Sequence, residues 1–249
     1  MKIGASTLAG IEYSLENALE FIESMGLEYA ELVHQYPSEN IDCDVLESYN
    51  LKYSIHAPFM DVNIASLQDQ SRLNSIKQIK SSIDLANEID AEAVVVHPGV
   101  TSFLPNKFFK KEVTAFAEES IIELGAYGKD LGVLTTFENM PAFPSMLYQD
   151  MNELNEILVD NELYMTLDVG HANHAGYSAD EMIFDCIKHV HIHDNFGDDD
   201  AHLPLGEGCI DLKRVVNNLE SKNFDGIYIL EVNDYDSIKK SYEYMKKNF

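Results

Sequence analysis

Residues 189–208 read HVHIHDNFGDDDAHLPLGEG. Three histidines, His189, His191 and His193, alternate with Val190 and Ile192, which is the period of a β-strand. Side chains of equal parity point to one face of a strand, so the three imidazoles share a side. The segment then runs through Asp194 into Asp198, Asp199 and Asp200, then His202, Gly206 and Gly208. A strand that ends in ligand-type side chains, with a polar loop returning over it, collects its chemistry at the strand's C-terminal end. That is where sites lie in parallel α/β folds. Only the last imidazole reaches such a rim, so His193 is expected to be the ligand. His191 is expected to fill a lower layer or give support from behind, and His189 to start the strand. The returning loop brings Asp200 and His202 over the same site. Gly206 and Gly208 let that turn bend freely, and Asp198 and Asp199 are expected as solvated charges.

The same strand-then-ligand pattern recurs along the chain. Candidate strands are 2–7, 29–34, 52–57, 92–97, 133–138, 164–169, 189–194 and 226–232. Most are rich in β-branched and aromatic residues, as buried parallel strands require. Helical periods lie between them. In 70–89, Leu73, Ile76, Ile79, Ile83, Ala86 and Ile89 recur every three or four residues and predict one buried stripe. Val113, Phe116, Ile121 and Leu124 do the same in 113–127, and Tyr235, Ile238, Tyr242 and Met245 in the last helix. Ser178-Ala-Asp-Glu181 reads as a capping box opening a short sixth helix. Eight βα units in 249 residues predict an α/β fold, a single (β/α)8 TIM barrel that forms one domain over 1–249. An open doubly wound sheet is the alternative; no Gly-x-Gly-x-x-Gly follows the first strand, which weakens its nucleotide-binding form.

Under this fold the ligand-type residues converge. The third strand ends in His56-Ala-Pro, the fourth in His97-Pro-Gly and the fifth in Glu138-Asn. The sixth ends in Asp168-Val-Gly-His171, the seventh in His193-Asp194, and the eighth in Glu231; Asp200 and His202 come from the loop. A lone strand-end histidine is more often a hydrogen-bonded rim residue than a ligand. Nine ligand-type residues falling together at strand ends have a different weight. Buried carboxylates are costly unless paired or bound to a cation. A set of His, Asp and Glu without Cys suits zinc, manganese or iron, so one to three divalent ions per chain are expected. His34 and Glu31 are read as rim residues in reach of a substrate, and His174 as loop surface.

Charge narrows the partners. The chain carries 17 Lys and Arg against 43 Asp and Glu, a net charge of −26. Such a field repels polyanions. Residues 136–187 and 193–208 contain no Lys or Arg, and Arg72 and Lys107 are the nearest cations to the ligand-bearing ends. Nucleic acid is therefore disfavoured, and a small polar substrate is expected. The three cysteines have no Cys-x-x-Cys spacing and read as reduced thiols. With no apolar run of membrane-spanning length and no signal-peptide pattern, the expected location is cytoplasmic and away from membranes.

In combination, SIHAPF, HPG, FEN, LDVGH, HIHD, D-x-H-LPLGEG and LEV resemble the xylose isomerase-like TIM-barrel superfamily, over nearly the whole chain. That group includes sugar and sugar-phosphate isomerases and epimerases, inosose dehydratases and endonuclease IV. The isomerase and epimerase branch implies one divalent ion on Glu138, Asp168, His193 and Glu231. It also implies Glu138 and Glu231 as the proton-moving pair, and His171 orienting a substrate oxygen. The endonuclease IV branch implies a trinuclear zinc site on His56, His97, Glu138, Asp168, His171, His193, Asp200, His202 and Glu231, acting on phosphodiesters at abasic sites. The charge deficit favours the first branch. The resemblance is also compatible with a homo-oligomer, since dimers and tetramers are common among such isomerases.

Overall fold

The structure is a computed structural model that describes residues 1–249, the side chain of Phe103 excepted. Eight parallel strands close on themselves in chain order: β1 (Lys2–Ser6), β2 (Tyr29–Val33), β3 (Lys52–His56), β4 (Val94–Val96), β5 (Thr135–Glu138), β6 (Tyr164–Asp168), β7 (Ile187–Ile192) and β8 (Ile227–Leu230). The closing seam pairs β1 with β8, from Lys2 opposite Ile227 to Ala5 opposite Leu230. The closed barrel is the expected fold, and the doubly wound alternative is excluded.

Helices follow the strands as the periodicity predicts. Helix α1 (Leu15–Ser24) follows β1, and α2 (Cys43–Leu46) is a single turn after β2. Helices α3 (Asp69–Glu88), α4 (Phe103–Phe108) and α5 (Lys110–Leu131) flank β4. Helices α6 (Met151–Asp160) and α7 (Val169–His174) flank β6; α8 (Leu212–Ser221) and α9 (Tyr235–Asn248) flank β8. The predicted stripe of α3 is buried at Ile76, Ile79, Ile83 and Ala86. Leu73 is the exception at 56% exposed. Among the described residues no helix is long and apolar enough to cross a membrane.

Two local expectations fail for identifiable reasons. Ser178 and Glu181 do form the predicted contact: the Ser178 amide and hydroxyl both donate to Glu181 Oε2, at 3.0 and 2.6 Å. No helix follows, because β7 begins only six residues later, at Ile187. The helix of this unit is instead α7, capped by Asp168 itself, whose carboxylate accepts from the His171 amide. Strand β7 starts two residues before the predicted boundary, which places His189 inside the barrel rather than at the strand's start.

The core has two parts. The larger lies between the barrel's outer face and the helices, with Leu32, Ile55, Val94, Phe137, Leu167, Val190 and Leu230 facing Ile79, Ile121, Leu154 and Ile238. The smaller lies inside the barrel: Tyr29, Ile227 and Ile229 form a separate apolar plug. Gly4 makes room for it, since a Cβ there would lie 2.7 Å from Tyr29 and 2.8 Å from Ile229. Above the plug the interior turns polar, with Glu31, Ser54, Thr136, Thr166, His189 and His191 all buried. Barrel interiors are usually filled by branched apolar residues, so this polar layer needs specific pairing. It has it: Thr136 and Thr166 share a hydrogen bond at 2.6 Å, and Ser54 donates to Glu31 at 2.9 Å.

Candidate metal centre at the barrel mouth

Every strand from β3 to β8 delivers a ligand-type side chain at or just past its C-terminal end. His56, Glu138 and Asp168 are the last residues of their strands, and His97 and Glu231 come one position after theirs. Three linked groups bring them together, the candidate ligand atoms of each within 4.8 Å of one another; two more such groups, His56–His191–Glu231 and Glu31–His189–His191, overlap these. The first is His56, His97 and Glu138. The second is Glu138, Asp168, His191 and Glu231. The third is His171, His193, Asp200 and His202. All nine residues expected from the sequence are therefore at one opening of the barrel.

The structure adds a tenth residue and changes one assignment. The imidazole among Glu138, Asp168 and Glu231 is that of His191, not His193. His191 Nδ1 lies 3.2 Å from Glu138 Oε1 and 3.0 Å from Glu231 Oε2. His193 stands beyond β7, with Nε2 3.2 Å from Asp168 Oδ1 and 3.6 Å from Asp200 Oδ1. The strand's earlier start explains the shift. Asp168, the last residue of β6, is in register with His191, so these two share a layer. The shared parity of the HVHIH run marked both imidazoles as inward-facing, and only the strand boundary could have chosen between them.

The third group depends on the loop after β7. That loop returns because Asp194 and Leu203 exchange backbone hydrogen bonds at 3.0 and 2.8 Å. The Asp194 carboxylate accepts from the amides of Asn195, Gly206 and Ile210. Gly206 has the positive φ expected of a free turn, 85°. Gly208 serves differently from the expectation: a Cβ there would overlap the Asp194 carboxylate and the Asn195 carbonyl, so it is needed for close approach. The return sets His202 Nε2 3.2 Å from Asp200 Oδ2 and stacks its ring on His193 at 3.9 Å. His202 itself holds φ at 45°, a left-handed conformation that costs a bulky residue about 1–3 kcal/mol. Asp198 and Asp199 are exposed, as expected.

Backbone acceptors orient the imidazoles. His56 Nδ1 donates to the Ala57 carbonyl at 2.8 Å, His171 Nδ1 to the Asn139 carbonyl at 2.9 Å, and His202 Nδ1 to the Glu231 carbonyl at 2.8 Å. Each ring thereby turns Nε2 toward the carboxylates. Asn139, the last residue of the FEN motif, also locks β5 to β6: its side chain donates to the Asp168 carbonyl and accepts from the Asp168 amide.

Electrostatics at the mouth are dominated by carboxylates. Burial works against a charged His191, but Glu231, Glu31 and Glu138 outweigh it and hold its pKa well above the ordinary value. Burial is likewise overcome at His171, pushed up to about 10 by Asp168, Asp200 and Glu138, and at His202, pushed up to about 9 by Asp200 and Glu231. His97 goes the other way, because desolvation exceeds the pull of Glu138. Desolvation also opposes ionisation of Glu138, Glu231 and Asp200, yet the neighbouring imidazoles lower all three, Glu231 to about 2. The residues suit divalent cations on an independent ground. Glu138 Oε2, Asp168 Oδ2, His193 Nε2 and Asp200 Oδ1 are buried and make no hydrogen bond among the described residues. An unmet buried polar atom costs about 1–3 kcal/mol, and several converging on common points is the arrangement that a shared cation satisfies.

The residues at the margin of the prediction fall elsewhere. His34 is bound to Ser82 Oγ and the Glu39 carbonyl and joins none of the three groups. Glu31 is fully buried beneath His191, not on the rim. His174 closes α7 with its ring edge-on to Phe143. Both arginines are held by other partners. Arg72 donates to the Ser66 carbonyl and Asp69 and lies over Phe116, and Arg214 is bidentate on Asp180. Lys107 lies over the Phe108 ring at 5.2 Å.

Comparison with known proteins places this geometry in a wider set. An uncharacterized protein of Methanocaldococcus jannaschii is 33% identical and aligns over 99% of this chain and 89% of its own length. A D-tagatose 3-epimerase-like protein of known crystal structure is 32% identical, with a TM-score of 0.91 over 100% of this chain and 97% of its own. The IOLI protein, whose crystal structure has a bound zinc atom, superposes with a TM-score of 0.83 at 20% identity, over 100% of this chain and 99% of its own. The pattern of the xylose isomerase-like TIM barrels matches residues 19–248, and the chain belongs to that family.

Proposed function

We propose that this chain is a divalent-metal-dependent isomerase or epimerase that moves a proton at carbon in a small sugar or sugar-like substrate. The observation that carries the reading is the convergence of Glu138, Asp168, His191 and Glu231 at the mouth of a barrel whose two arginines are both held by other carboxylates. Those four residues would hold the ion, zinc or manganese, with His191 in the place that the family resemblance gives to His193. When bound, such an ion polarises a carbonyl or hydroxyl oxygen and so acidifies the adjacent C–H. Glu138 on β5 and Glu231 beyond β8 approach from different sides of the barrel and would take the proton from carbon and return it. His171 would hold a substrate oxygen near Asp200. The likeness to a D-tagatose 3-epimerase-like protein over the whole chain supports a sugar substrate, and the zinc in the IOLI protein supports a metal.

A second reading has an observation of its own. The groups His56–His97–Glu138 and His171–His193–Asp200–His202 flank the central four residues, which is a ligand supply for three ions. Three metals could clamp a phosphodiester and activate a hydroxide, as in an endonuclease IV-like hydrolase. The net charge of −26 weighs against a polyanionic substrate.

The two readings separate in one comparison. Metal content per chain is measured while the loaded protein is assayed on ketose sugars and on an abasic-site oligonucleotide. Turnover of a ketose, lost in Glu138→Gln by at least about a thousandfold while the fold persists, is the expected result. Cleavage of the oligonucleotide without ketose turnover would overturn the preferred reading, and full activity in Glu138→Gln would overturn both.

A further inference from the structure

Beneath the mouth, three fully buried residues form a chain that the proposed chemistry does not use. Glu31 Oε2 accepts from His189 Nε2 at 2.8 Å and from the Ser54 hydroxyl at 2.9 Å. Its other oxygen, Oε1, lies 2.8 Å from His191 Nε2. The opposite nitrogen of that ring, Nδ1, faces Glu138 and Glu231. His191 thus sits between a carboxylate below and the candidate ligands above. Resting on the metal-dependent reading, we propose that Glu31 is a positioning residue for the ion: it fixes His191 as the Nε2–H tautomer and leaves Nδ1 free to face the metal.

The argument is electrostatic. An ionised carboxylate is an acceptor only. A bare imidazole lone pair 2.8 Å from Glu31 Oε1, in a part of the barrel shielded from water, would be strongly repelled, so the proton belongs on Nε2. Oε2 is already taken by Ser54 and His189, which leaves Oε1 for His191. Neither His191 Nε2 nor Glu31 Oε1 has another hydrogen-bond partner among the described residues, and at 2.8 Å they face each other alone. Register holds the carboxylate in place. Glu31 is paired with Ser6 on one side and Ser54 on the other, and neither small side chain competes for the space. A carboxylate behind a ligating histidine sets its tautomer and raises its basicity, and losing it typically costs about 10- to 100-fold in metal affinity.

Zinc affinity is measured by chelator competition for the unmutated protein, for Glu31→Gln and for His189→Gln, with melting temperature recorded alongside. Glu31→Gln is nearly isosteric but presents an amide donor to one of the two imidazoles. Its affinity is expected to fall by about 10- to 100-fold. His189→Gln perturbs the same buried layer but keeps the Glu31 carboxylate and supplies an amide that can donate to Oε2 in place of the imidazole, and is expected to stay within about threefold of the parent. Equal losses in both variants would reduce the effect to general damage of the interior and overturn the proposal, as would an unchanged affinity in Glu31→Gln. If Glu31→Gln does not fold, 15N spectra of histidine-labelled, zinc-loaded unmutated protein decide: a proton on His191 Nε2 supports the proposal, and one on Nδ1 ends it. An unmutated protein that takes up no zinc or manganese would bring down the functional reading, and this inference with it. A tight-binding parent with an insensitive Glu31→Gln variant would bring down this inference alone.

Discussion

Gly170 lacks a side chain because the His193 ring occupies the place a Cβ would take. In LDVGH this glycine looks like a conformational choice, but its φ is not in the left-handed region. The constraint is contact with a ring 23 residues away, which no local pattern reveals. Gly170→Ala should therefore act through His193. Overpacking of this kind costs about 1–3 kcal/mol, and the displaced imidazole would leave the group it forms with His171, Asp200 and His202. A lower melting temperature is expected, with weaker zinc uptake at the His171–His193–Asp200–His202 group; an unchanged melting temperature would show that His193 has room to move aside. Residue identities at the site were largely legible in the sequence, because strand ends in a barrel converge whatever fills the loops between them. The choice between His191 and His193 was not legible, since both share parity and only strand register separates them. Glu31 was misplaced for a related reason: a glutamate near the end of a strand can face the mouth or lie a layer below, and the pairing of Glu31 with Ser54 decided it.

The element that completes the mouth is the loop after β7, and its anchor is Asp194. One carboxylate accepts three backbone N–H groups, and each lost hydrogen bond to a buried charged acceptor is worth about 1.5–3 kcal/mol. Asp194→Ala should release the loop while leaving the barrel closed, since β7 pairs with β6 and β8 upstream of it. Faster proteolytic cleavage within 196–210, with intact helices by circular dichroism, is the expected signature. Unchanged cleavage would mean that the Asp194–Leu203 backbone pair holds the loop unaided. Strands were the most legible elements, because buried parallel strands show as runs of Val, Ile and aromatic residues between helical periods. The failed helix at Ser178 shows the limit of local signals: a capping box can close a turn, but whether the turn propagates depends on how soon the next strand must start.

At the scale of the whole molecule, the buried titrating groups pull in two directions. His171 and His202 have pKa values raised from 6.5 to about 10 and about 9, so in chelator-treated protein they add stability that is fully present below 6.5 and lost as pH rises through 9 to 10. Glu231, lowered from 4.5 to about 2, adds stability that is present above 4.5 and lost as pH falls through about 2. For these groups the metal-free chain is best supported between about 4.5 and 6.5. Divalent ions need deprotonated imidazoles, so the stabilisation they confer should grow over the range where the free chain weakens. Melting curves from pH 6.5 to 10, with and without zinc, should diverge; a free chain that gains stability over that range would contradict the charge arrangement described at the mouth. The eightfold closure was predictable from the count of βα units. The polar layer inside the barrel was not, because its members pair with strands far away in sequence, as His189 does with Glu31.

Tyr29, Ile227 and Ile229 fill the barrel beneath the polar layer with packed, buried side chains, so the carboxylates at the mouth are approached from one side. Whatever reaches the carboxylates must back out the way it came before another molecule can enter. For a reaction whose reactant and product have the same atoms and nearly the same size, the two must then queue for one passage, each acting as a competitive inhibitor of the other.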